Sequence, residues 1–150
     1  MKTRLLLLAT LILISGCDKT PTGRDQLALV PGSMMAQFGS QAFLQMQQQI
    51  PASENTTRNA RVQCIAREIL LEVGNRFPGT PMPDTWEIVL FDDPTPNAFA
   101  LPGGKIGVNQ GLLDVADNDA QLAAVIGHEV AHVLARHGNE RLTQELGIKA

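Results

Sequence analysis

The chain has 150 residues, with 12 Lys and Arg against 15 Asp and Glu, for a formal net charge of −3. That length suits one modest hydrophobic core. No run of like charges is present, so neither a basic footprint for nucleic acid nor a polybasic membrane patch is expected.

At the N-terminus, Lys2 and Arg4 precede an apolar run over residues 5–14, too short to span a bilayer but suited to the core of a signal peptide. Residues 1–16 are therefore expected to direct export. The stretch Leu13-Ile14-Ser15-Gly16-Cys17 resembles a bacterial lipobox. That resemblance implies a lipidated Cys17 that anchors the protein to a membrane and places it in the bacterial periplasm. The same resemblance implies that Asp18 slightly favours the inner over the outer membrane, an effect that Lys19 weakens. Residues 17–33 carry Pro21, Gly23, Pro31 and Gly32 with few large apolar groups, and read as a tether. With Cys17 acylated, Cys64 is the remaining thiol in an oxidising compartment. It is expected either as a buried small apolar residue or as half of a disulfide to a Cys outside this sequence.

The folded part is expected over 34–150. Met34, Phe38, Phe43, Leu44 and Met46 make a helical pattern over 33–50 that Pro51 ends, read as a packing helix. A second helix begins after Ser53 or Asn55. It carries Val62, Ile65, Ala66, Ile69, Leu70 and Val73 at spacings of three and four, and stops at Gly74. Residues 86–91 read as a strand, and residues 97–109 as a β-hairpin around Pro102-Gly103-Gly104. After a short helical stretch at 111–115, Asn118 and Gln121 form a capping box that opens a helix running to about Gly138. The fold class is α+β: N-terminal helices, a small sheet and one long late helix.

That late helix carries His128-Glu129-Val130-Ala131-His132. Two His residues four positions apart lie about 40° apart around an α-helix, so both imidazoles reach one zinc ion. Glu129 reaches the water on that metal and serves as general base: zinc lowers the pKa of the water, and the carboxylate takes the proton as the water attacks a peptide carbonyl. Leu122, Ile126, Val130 and Val133 cover the opposite face, while Ala124, Ala131 and Ala135 leave room beside the His pair. His137 lies nine residues past His128, on the far side of a continuing helix, and is rejected as a ligand. Glu140 and Glu145 are no better placed.

The stretch NAFALPGGKIGVNQGLLDVADNDAQLAAVIGHEVAHVLARH, residues 97–137, resembles the zinc endopeptidases of the HtpX, Oma and CAAX-prenyl-protease type, metallopeptidase family forty-eight, and among them the bacterial periplasmic lipoproteins. The resemblance implies a gluzincin-like fold and one Zn2+ per chain. A Glu beyond residue 150 would be the third ligand, so that 34–150 is the N-terminal part of the protease domain. It further implies that Asn97, Ala98, Phe99 and Ala100 form the edge on which an unfolded substrate segment adds as a strand. The expected activity is hydrolysis of misfolded or misassembled envelope proteins. A non-catalytic chaperone or adaptor of the same fold is the alternative, should the chain end at 150.

Overall fold

The structure is a computed structural model and describes residues 17–147. The expected signal peptide at 1–16 therefore lies outside the described residues. Among those described, no helix is long and apolar enough to cross a membrane.

Strands β1 (Cys17–Lys19) and β2 (Asp25–Leu27) pair antiparallel, and helices α1 (Gly32–Gln49) and α2 (Thr56–Arg76) follow. Next come β3 (Glu87–Phe91), β4 (Ala98–Leu101), β5 (Lys105–Asn109), and helices α3 (Leu112–Val115), α4 (Asp119–Leu134) and α5 (His137–Glu145). Helix α1 ends where expected. Ile50 is extended, as a residue preceding proline must be, and its N–H closes the last turn on Met46. Helix α2 is capped by the Asn55 side chain, which accepts from the Arg58 N–H. It continues two residues past Gly74, because that glycine keeps helical geometry and no left-handed cap forms.

The three-stranded sheet has the order β3-β5-β4, with β3 parallel and β4 antiparallel to the central β5. Alternation along the strands divides the side chains between two faces. Leu90, Ala98, Ile106 and Val108 join Val62 and Ala66 of α2 and Leu122, Ile126 and Val130 of α4 in the main core. On the other face Phe91 and Phe99 stack with centroids 6.0 Å apart, and Phe43 of α1 meets both edge-on at 5.8 and 6.3 Å. Phe99 crosses Gly107, where any β-carbon would overlap its ring. The layers are thus α1, sheet, then α2 with α4. The end of β3 is flanked by the α1–α2 connection, with a bridge from Ala52 to Phe91 and an N–H of Ser53 on the Leu90 carbonyl. Strand β4 is the opposite edge.

Three expectations change. Helix α1 is less buried than its pattern predicts: Phe43 is enclosed, but Met34, Phe38 and Leu44 are 44, 49 and 55% exposed. Cys64 lies on the exposed side of α2, not in the core. Within residues 17–33, expected as a tether, Arg24, Leu29 and Val30 bond to α5. Asn139 is the buried clamp, its Nδ2 donating to the Val30 carbonyl at 2.6 Å and its Oδ1 accepting the Val30 N–H at 3.2 Å. Thr143 Oγ1 accepts the Leu29 N–H, and Arg24 makes a two-pronged pair with Glu140 at 2.9 and 2.6 Å.

Candidate metal centre and substrate cleft

Helix α4 starts as its sequence predicts. Asn118 Oδ1 accepts the Gln121 N–H at 3.0 Å, and the Gln121 side chain reaches back to the N–H of Asp117, one residue earlier than in an ordinary capping box. Leu122, Ile126 and Val130 are fully buried on one side, which turns His128 to the exposed side and leaves Glu129 and His132 half-buried. The two imidazoles meet edge to face, with Nε2 of His128 2.9 Å from Nε2 of His132. One ion with bonds of ~2.0–2.1 Å can bridge two nitrogens at that spacing, so the pair fits zinc.

The helix does not run to Gly138. It closes at Ala135, and Arg136 takes a left-handed conformation, φ 56°, from which α5 sets off in a new direction. A non-glycine residue rarely adopts that geometry. The break overturns the premise of a continuing helix and brings His137 onto His132, Nδ1 to Nδ1 at 2.6 Å with ring centroids 4.8 Å apart. Burial holds the His137 pKa below the ordinary histidine value, with the neighbouring His132 acting in the same direction and Glu140 opposing. His137 reaches the edge of His132 that faces away from His128, so it is still not a third ligand to an ion held between that pair. Glu140 is engaged by Arg24, whose hydrogen bond is the chief reason its pKa is lowered, and Glu145 is exposed. Among the described residues no three His, Cys, Asp or Glu side chains gather as a metal-holding group.

Glu129 and His132 open into a cleft of about 1160 Å³. Its walls are the end of β1 with Thr20 and Pro21, the start of α1, the 77–84 connection, Ala100 to Gly103, and the α4–α5 junction. Of the expected substrate strand, Asn97 precedes β4 and accepts from the Asn109 N–H, Ala98 faces the core, Phe99 lies in the aromatic layer, and Ala100 lines the cleft. As an edge strand, β4 can offer backbone groups to a peptide, whereas the side chains of Ala98 and Phe99 are committed elsewhere. Sequence reading missed the 77–84 wall, where Pro78, Pro81 and Pro83 keep the connection out of helical geometry.

The model of Peptidase family M48 matches residues 56–150, well over half of the chain. The chain belongs to peptidase family M48. Among its M48 relatives, the mitochondrial metalloendopeptidase OMA1 of Schizosaccharomyces pombe is 51% identical over 57 residues, 38% of this chain and 17% of the relative. The zebrafish (Danio rerio) mitochondrial metalloendopeptidase OMA1 is 31% identical over 136 residues, 88% of this chain and 28% of the relative. The β-barrel assembly-enhancing protease of Escherichia coli is 46% identical over 41 residues, 27% of this chain and 8% of the relative. The chain thus spans less than a third of the length of these M48 proteins. The α+β arrangement of helices around a small mixed sheet agrees with the M48 domain.

Proposed function

We propose that this M48 chain carries the catalytic helix of a zinc-dependent endopeptidase. The observation that carries the reading is the convergence of His128 and His132 at 2.9 Å on one helix, with Glu129 between them in sequence opening into the cleft. His128 and His132 would hold the metal, completed by a Glu outside this sequence, and zinc would supply a Lewis acid that acidifies water and polarises the peptide carbonyl. Glu129 takes the proton of the attacking water and passes it to the departing amine, so the proton is returned in the same turnover. A substrate segment pairs with β4 by its backbone, which positions the scissile bond without regard to sequence and suits unfolded chains. Membership of M48 favours this reading over a non-catalytic adaptor.

The natural substrates proposed are misfolded or misassembled envelope proteins met in the bacterial periplasm. Cys17 is the proposed lipid attachment, with the inner membrane slightly favoured over the outer, and Cys64, exposed on α2, is the proposed half of a disulfide to a Cys outside this sequence. Because β1 begins at Cys17 and Thr20 already lines the cleft, lipidation there would hold the cleft within ~10 Å of contour length of the anchor. Substrate would then be taken at the membrane surface.

The test is Glu129→Gln in the full-length protein. Zinc content should be retained, while casein cleavage falls by ~10²-fold or more, the scale of general-base catalysis. Cleavage at the wild-type rate would overturn the mechanism.

A further inference from the structure

His132 has a partner at each ring nitrogen. Nε2 stands 2.9 Å from His128 and Nδ1 stands 2.6 Å from His137, so the edge of the ring that would bind metal and the edge that meets His137 point in opposite directions. Resting on the proposed metal site, we infer that His137 is a positioning residue that fixes the tautomer and ring orientation of His132. With Nε2 turned to the metal as a lone pair, the Nδ1–H of His132 donates a hydrogen bond to Nδ1 of His137, whose own proton then sits on its Nε2. A ligand His held in this way keeps its metal-binding nitrogen aimed, and loss of such a partner typically lowers metal affinity ~10–100-fold.

The placement of His137 is built by the backbone. On an unbroken helix, residues five apart diverge by about 140°. The left-handed turn at Arg136 closes that gap, and His137 is the first residue of α5. Helix α5 is in turn held by the Asn139 clamp on Val30 and by the Arg24–Glu140 pair. His132 is thereby anchored by a helix other than its own.

The experiment measures zinc affinity of the full-length protein by competition with a chromogenic chelator, in the wild type, His137→Phe, His137→Ala, His137→Asn and His128→Ala. His137→Phe keeps a ring but no acceptor, His137→Ala keeps neither, and His137→Asn places an amide oxygen where Nδ1 stood. The expected result is ~10-fold or greater weakening in the Phe and Ala variants, with the Asn variant within ~3-fold of wild type. The absorption spectrum of the Co2+-substituted protein should be the same in wild type and the Asn variant. Should the Phe variant fail to fold, the Ala and Asn variants make the comparison. Unchanged affinity in the acceptor-less variants, together with loss of binding in His128→Ala, overturns the inference alone. Unchanged affinity in His128→Ala overturns the metal site and the inference with it. A Co2+ spectrum altered in His137→Asn would make His137 a ligand and also overturn it.

Discussion

Gly39 and Gly74 both sit inside helices, where glycine ordinarily costs about 1 kcal/mol relative to alanine. Their surroundings give them opposite roles. A β-carbon at Gly39 would run into the backbone carbonyl of Pro102, at the turn between β4 and β5, so this glycine lets α1 cross the hairpin beside the cleft. At Gly74 nothing lies within 4 Å of the same position. Gly74→Ala is therefore expected to raise stability by ~0.5–1 kcal/mol, and Gly39→Ala to lower it by ~1–3 kcal/mol as backbone is forced apart. Chemical denaturation of the two variants checks both signs, and a Gly39→Ala variant as stable as wild type or more so would contradict the close approach. A single sequence does not distinguish these glycines, since the deciding neighbour of Gly39 is more than sixty positions away. Arg136 presents the same difficulty in stronger form, because nothing in its residue type announces a left-handed turn.

At the level of elements, the readable features were those with local causes. The Asn118 cap, the stop before Pro51 and the Gly-bearing turn of the hairpin are each written within four residues of where they act. The strand order was not local: β5 lies between β3 and β4 only because the hairpin folds back so that Glu87 to Phe91 pair parallel with Lys105 to Asn109. One ion pair reports on that arrangement. Lys105 Nζ donates to Glu87 across the parallel pair at 2.8 Å, and Gln47 of α1 donates to the other Glu87 oxygen at 3.0 Å. The Lys105 hydrogen bond is the main cause of a lowered Glu87 pKa, with Gln47 helping and burial opposing. A carboxylate whose folded pKa is depressed adds stability above its unfolded value of about 4.3, and that stability is lost as pH falls through the folded value. With the Glu87 side chain 43% exposed, screening limits the contribution to below ~1 kcal/mol. The advantage of wild type over Glu87→Gln in thermal melts should thus be present at pH 7 and decline progressively once the pH falls below about 4.3, toward the depressed folded value. An advantage that grows on acidification would show that the pair is not formed.

Across the whole molecule, the site is assembled from both ends of the described chain. The helix of the His pair could be located by its His spacing, and its buried face by its apolar period, but the cleft is also lined by Lys19 to Pro21 and the start of α1. The sequence of residues 17–33 is poor in large apolar groups and so reads as a linker, because what holds it is hydrogen bonding from α5 and not hydrophobic burial. Such a segment opens more easily than the core around Ile106 and Ile126. Removing the Asn139 side chain leaves the N–H and C=O of Val30 without their partner, at a cost of ~1–3 kcal/mol to the docked state. When opening and closing are fast relative to cleavage, proteolysis follows the open population, in which each 1.4 kcal/mol is about tenfold. Asn139→Ala should accordingly raise the rate of tryptic cleavage after Arg24 by ~10-fold or more, while cleavage after Arg67, within α2, changes little. Equal acceleration at the two sites would mean that the variant loosens the whole fold. No acceleration after Arg24 would mean that the segment is held by something other than α5.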